Sequence, residues 1–93
     1  MLSSLPTDLS KVRKEHIDME ILRAGMIAEL DAVNFYEQMA AMTQRSDIKK
    51  VLLDIAKEEK THVGEFEALL LKLDSEQVKE SEKGRKEVEE LTE

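Results

Sequence analysis

Cysteine is absent from this 93-residue chain, which excludes disulfides, thiolate metal ligation and a thiol nucleophile. Proline occurs once, glycine three times and aromatic residues three times, with no tryptophan. Such a chain has little that breaks helices and little that builds strands, so long helices are expected. There is no basic excess either. The formal charge of −7 argues against nucleic acid or an anionic membrane surface as partner, because a duplex binder needs a basic face. No segment approaches the run of about 20 apolar residues that spans a bilayer. The stretch Met1-Leu2-Ser3-Ser4-Leu5-Pro6 lacks the basic and apolar regions of a secretory leader, so a cytosolic location is expected. What the chain does have is 41% hydrophobic and 38% charged residues, enough for one small core that association would help to bury.

Taken in order, residues 1–9 carry Ser3, Ser4, Pro6, Thr7 and Asp8 and read as a lead-in. A first helix is expected over 10–44, its periodic apolar positions running from Ser10 to Met42 and broken only by Gly25. Gly25 is read first as locally tolerated and second as a point where another helix comes close. Thr43-Gln44-Arg45-Ser46 should end this helix and begin the next, with Ser46 as N-cap and Asp47 in the first turn. A second helix follows over 46–73. So short a connection forces the two helices to lie antiparallel. Asp74-Ser75-Glu76-Gln77 has the pattern of a capping box, placing a third segment at 75–91. With only Val78, Gly84, Val88 and Leu91 among many Glu and Lys, that segment is either a docked amphipathic helix or a flexible tail.

Two stretches stand out against this background. On the first helix, Glu29 interrupts the stripe Leu22, Met26, Val33, Tyr36, Ala40, whose steps of three and four mark a buried face. On the second, Glu59 and His62 interrupt Ile48, Leu52, Ile55, Phe66, Leu69, Leu73. With a turn near Arg45, Glu29 lies 16 residues before it and Glu59 and His62 lie 14 and 17 after it. At about 1.5 Å per residue all three sit roughly 21 to 26 Å from the turn. Two carboxylates and an imidazole should therefore converge in apolar surroundings.

A Glu-x-x-His on one helix facing a Glu on another is half of the di-iron carboxylate pattern of helical bundles. Two copies would supply four carboxylates and two imidazoles, so the reading requires a homodimer whose two hairpins form a four-helix bundle. Buried carboxylates without counter-charges are strongly penalised, and two divalent cations would neutralise them. Oxygen and imidazole donors suit iron, manganese or zinc. The competing reading is a non-enzymatic dimerisation module whose polar layer fixes register. Tyr36, two turns from Glu29 on the same face, is read as core or as support for a ligand, with electron donation as the sharper option. Phe35, Phe66 and Met19, Met26, Met39 and Met42 are read as packing, and His16 as exposed and remote. Asp31, Glu58 and Glu65 flank the inner face and could handle incoming cations, or could simply be solvated. A zinc peptidase is excluded because no second His stands four residues before His62.

With Glu29-Leu30-x-Ala32-Val33-x-Phe35-Tyr36 and Glu58-Glu59-Lys60-x-His62 in view, the chain resembles the encapsulated ferritins over roughly residues 15 to 73. The resemblance implies an all-α, ferritin-like four-helix bundle formed by two hairpins. It implies that Glu29, Glu59 and His62 are ferroxidase ligands shared across the dimer, two iron ions per interface, with Tyr36 beside them. It further implies a ring of five dimers, and iron(II) oxidation that feeds mineralisation inside an encapsulin shell in the cytoplasm. A rubrerythrin-like peroxidase is the alternative within metal enzymes. Two departures accompany the resemblance. Ala28 stands where the family has an acid of its accessory site, leaving Asp31 as the matching one, and the tail 86–93 lacks an apolar cargo-loading peptide. Some relatives are fused to their shell protein, so this chain is expected to be a truncated domain or to load by another route.

Overall fold

The computed structural model describes residues 8–11 and 13–93. Of the expected lead-in, residues 1–7 lie outside the described residues. Two single 3₁₀ turns, Leu9–Lys11 and Lys14–His16, precede three helices: α1 (Ile17–Met42), α2 (Ser46–Leu73) and α3 (Ser75–Thr92). There is no strand among the described residues.

The first helix begins at Ile17 rather than at Ser10. Arg13 adopts an extended conformation (φ −60°, ψ 139°) and breaks the run. Only Val12 is apolar between Ser10 and Ile17. Those residues have no stripe to bury, and tertiary burial is what sustains most protein helices. At its other end α1 stops at Met42, two residues early, because Thr43 turns to ψ 143°. Arg45, also extended, takes the N-cap position of α2, so Ser46 is its first helical residue and not its cap. A local ion pair closes the connection instead. The Arg45 guanidinium donates to both oxygens of Asp47 at 3.1 and 2.7 Å. That pairing, with the Ile48 amide, holds the Asp47 carboxyl below the usual carboxylate range.

α1 and α2 lie against each other as an antiparallel hairpin with Leu22, Val33 and Ala40 of α1 and Ala56 and Leu70 of α2 buried between them. The expected inner stripe of α1 is the observed one. That of α2 is rotated from expectation: Ala56 and Leu70 are buried, whereas Ile48, Leu69 and Leu73 remain 40%, 50% and 50% exposed. The apolar positions of α2 are therefore too wide a band for one neighbouring helix to cover, and the surplus forms a bare face along one side of the hairpin. Ile21 on α1 extends this face. With Leu22, Leu69 and Leu73 it lines a shallow cavity of about 270 Å³, rimmed by Asp18 and Lys72.

Gly25 marks a close approach, against the reading of local tolerance. A methyl group placed there would meet three ring atoms of Phe66 at 3.0 to 3.1 Å.

α3 begins as its sequence predicts. Asp74 closes α2 by donating its amide to the Leu70 carbonyl at 2.9 Å, and its carboxylate accepts from the Gln77 amide at 3.0 Å. The capping box is only half made, since the Gln77 side chain turns forward to Ser81 Oγ at 2.8 Å. The Asp74 carboxylate also receives Arg23 from α1 at 2.8 Å. The Gln77 amide, and next the Arg23 guanidinium, hold that carboxyl below the usual carboxylate range. Beyond this junction α3 buries no residue and is supported by its own ion pairs, Arg85 with Glu82 and Glu89.

The result is thin. Its extents are 47 × 43 × 19 Å and its radius of gyration is 16.5 Å, against about 12 Å for a compact chain of this length. Domains ordinarily close a core between two layers. This chain is little more than one.

Candidate metal centre

The short connection puts Glu29 of α1 opposite Glu59 and His62 of α2, and the side chains meet. One ligand atom from each of the three lies within 4.8 Å of the others. His62 Nδ1 stands 3.3 Å from Glu59 Oε2, one turn back on the same helix, and 3.4 Å from Glu29 Oε2 across the hairpin. The contact to Glu29 lacks hydrogen-bond geometry, so Glu29 Oε2 is buried with no hydrogen-bond partner. Both carboxylate side chains are only 20% exposed, whereas His62 is 45% exposed. A buried oxygen without a partner is costly. Here it is aimed into a cluster whose remaining donors are another carboxylate and a ring nitrogen.

Why His62 is the open member follows from its place on α2. Ile48, Ile55, His62 and Leu69 are spaced seven apart and so share one line down the helix. It is the line of the bare face. Glu59 falls instead toward the seam with α1, near Ala56. The cluster thus straddles the boundary between the buried seam and the uncovered surface. Only its carboxylate side is closed. The seven-residue step is the sequence signal for this division, which a single inner stripe from Ile48 to Leu73 does not show.

The other candidates are placed differently. Tyr36 is half-buried two turns along α1, packed edge-on against Phe35 with ring centroids 5.2 Å apart at 81°. Asp31 is half-buried but is not part of the cluster, since two residues along a helix turn its side chain roughly 200° away from Glu29. Glu58 and Glu65 are exposed, and so is His16, at the N-cap of α1.

The donor set is two carboxylates and one imidazole, the kind that binds iron, manganese or zinc. The orphaned Glu29 oxygen is what a cation at this position would satisfy. Residues able to hold the metal are Glu29, Glu59 and His62, and the half-exposed imidazole edge leaves room for further ligands from outside the chain.

A helical hairpin with a Glu-x-x-His on one helix meeting a Glu on the other has the pattern of a ferritin-like carboxylate protein. Comparison with known proteins agrees. The rubrerythrin family profile matches residues 20–93. The crystal structure of the encapsulated ferritin domain from Pyrococcus furiosus superposes with a TM-score of 0.84 at 53% identity, covering 99% of this chain and 96% of that one. The chain belongs to the rubrerythrin family and, among ferritin-like proteins, to the same family as that encapsulated ferritin domain. Among curated relatives, it is 56% identical to a ferritin-like-encapsulin shell fusion protein of Pyrococcus furiosus over 99% of its own length. It is 35% identical to the encapsulin nanocompartment cargo protein EncC of Myxococcus xanthus over 73% of its length. The chain spans 27% of the fusion protein and 55% of the cargo protein. No helix among the described residues is long and apolar enough to cross a membrane.

Proposed function

We propose that the chain is a ferroxidase. Two copies pair through the bare face, and Glu29, Glu59 and His62 from each receive iron(II) and release iron(III) for mineralisation inside an encapsulin compartment. The observation that carries this reading is the convergence of the three side chains around the unpartnered Glu29 Oε2. The compartment is supported by the likeness to an encapsulin shell fusion protein and an encapsulin cargo protein.

Each chain holds one Glu and one Glu-x-x-His, which is half of the ligand set of a two-metal carboxylate site. A second copy across the bare face would supply the other half. It would also cover Ile48, Leu69 and Leu73, which are 40%, 50% and 50% exposed and so would each gain roughly half of the about 1.5–3 kcal/mol that full burial contributes. Pairing would turn a single layer into a closed four-helix bundle, and such dimers would associate further into a ring.

Bound as substrate, two iron(II) ions give up one electron each, the two that reduce dioxygen to peroxide or peroxide to water. The side chains do the rest. Glu29 and Glu59 neutralise the incoming charge and prefer the higher charge of the oxidised ion. His62 orients it through Nδ1. Tyr36 supports the ligands from two turns away, and long helical side chains lean toward the helix N-terminus, here the direction of Glu29. An accessory role for Asp31, in handling cations before they reach the cluster, would be exercised from outside the ligand set. A rubrerythrin-like peroxidase, with peroxide as the oxidant, is the second reading for this site.

Anaerobic titration of iron(II) into metal-free protein, followed by admission of air, tests the activity. Saturable binding and oxidation faster than in buffer are expected, with both lost in Glu29→Ala and His62→Ala. Oxidation no faster than in those variants would remove the ferroxidase reading. A chelator that leaves the oligomer unchanged on native mass spectrometry would favour the plain dimerisation module instead.

A further inference from the structure

We infer that Gly25 and Phe66 form a spacer that sets the separation of α1 and α2 at the metal centre, with Gly25 acting as a positioning residue for the ligands. This rests on the metal-centre reading above and adds a role for two residues outside the ligand set. Gly25 lies one turn before Glu29 on α1, and Phe66 lies one turn after His62 on α2. Four residues back on one strand of the hairpin and four forward on the other preserve the antiparallel register. The Gly25–Phe66 contact is therefore the layer next to the cluster, about 6 Å along the helix axes.

Three consecutive ring atoms of Phe66, Cδ1, Cε1 and Cζ, would stand 3.0 to 3.1 Å from a Cβ at position 25. Carbon atoms in van der Waals contact prefer about 3.5–4.0 Å, so the ring occupies space that any other residue would fill. Gly64 and Gly84 have nothing within 4 Å of a corresponding Cβ. A mid-helix glycine costs about 1 kcal/mol relative to alanine. At Gly25 that cost coincides with a tight seat for an aromatic ring, and in this layer the ring against bare backbone limits how near the helices come.

The cluster is sensitive to that limit because its members come from both helices. His62 Nδ1 and Glu29 Oε2 are 3.4 Å apart across the seam. A methyl group at position 25 has to displace the ring or the helix by about 0.5 Å to recover normal contact. Metal–ligand distances tolerate only about 0.2 Å.

Cobalt(II) added to the full chain gives a readout separate from activity, through binding affinity and the visible spectrum that reports coordination geometry. For Gly25→Ala we expect about tenfold weaker cobalt binding, the scale at which supporting residues act, and an altered spectrum at saturating metal. Adding Phe66→Leu to Gly25→Ala, which makes room for the methyl, is expected to restore both. Unchanged affinity and spectrum in Gly25→Ala would overturn the inference, as would failure of Phe66→Leu to restore them. Far-UV circular dichroism reports whether each variant is folded. Should Gly25→Ala not fold, Phe66→Leu alone keeps the test: the glycine without its ring is expected to weaken cobalt binding, and full affinity overturns the spacer. A wild-type chain that binds no cobalt would instead overturn the metal centre itself.

Discussion

The hairpin and α3 are held by different forces. Between α1 and α2 the buried contact is apolar, built on Leu22, Val33, Ala40, Ala56 and Leu70, with the exposed Lys60–Glu37 ion pair outside it and the candidate ligands at its edge. α3 buries nothing and is joined to the hairpin through Asp74, which caps it and binds Arg23. Apolar packing holds side chains to the tolerance that a metal site needs, whereas a cap and an ion pair fix only where a helix starts. The candidate ligands are all on the packed element.

The largest effect should come from breaking the seam. Leu70 is 4% exposed, and Leu70→Ala is expected to lower the stability of the hairpin by about 2–5 kcal/mol in denaturant unfolding. Leu69→Ala, one residue back but on the bare face, should cost the isolated chain far less. Equal losses would mean that the two faces of α2 are not distinct.

A smaller effect is expected at the α3 junction, and pH reaches it. Because the folded Asp74 carboxyl titrates below its ordinary value, its stabilising contribution is complete above the ordinary carboxylate range and is lost as pH falls through the lowered value. Amide exchange should show Gln77 losing protection on acidification, or in Arg23→Ala at neutral pH, while Ala56 keeps its protection. Loss at both positions together would join α3 to the hairpin as one cooperative unit.

The smallest change should follow Asp31→Asn, because Asp31 is on the hairpin but outside the cluster. Its iron(II) affinity at equilibrium should match wild type, with any deficit confined to the rate of loading. A loss as large as that in Glu29→Ala would require redrawing the ligand set.

The sequence made the site legible because Glu29, Glu59 and His62 are polar residues on lines that are otherwise apolar, and the short connection equalised their heights. The same lines concealed how α2 is shared. A stripe of Ile and Leu states that a face is covered, not by what, and Ile48, Leu69 and Leu73 are apolar without being covered by α1. Ser46 misled as a cap because Arg45 could close the turn through Asp47. Gly25 was ambiguous for another reason: its partner is 41 residues away, and no local pattern reports a contact of that range.

The connection between α1 and α2 carries a consequence for how the chain can change in length. Thirteen residues separate Glu29 from the end of α1, and thirteen separate the start of α2 from Glu59. Inserting one residue into either arm would rotate its ligand by about 100° and lift it by about 1.5 Å, removing it from the site. A matched deletion of seven from both arms would bring the ligands back into facing positions two turns nearer the connection. Variation in length between this site and its turn should thus be inherited in balanced pairs, and a shortened hairpin built on that rule should still bring a carboxylate, a second carboxylate and an imidazole together.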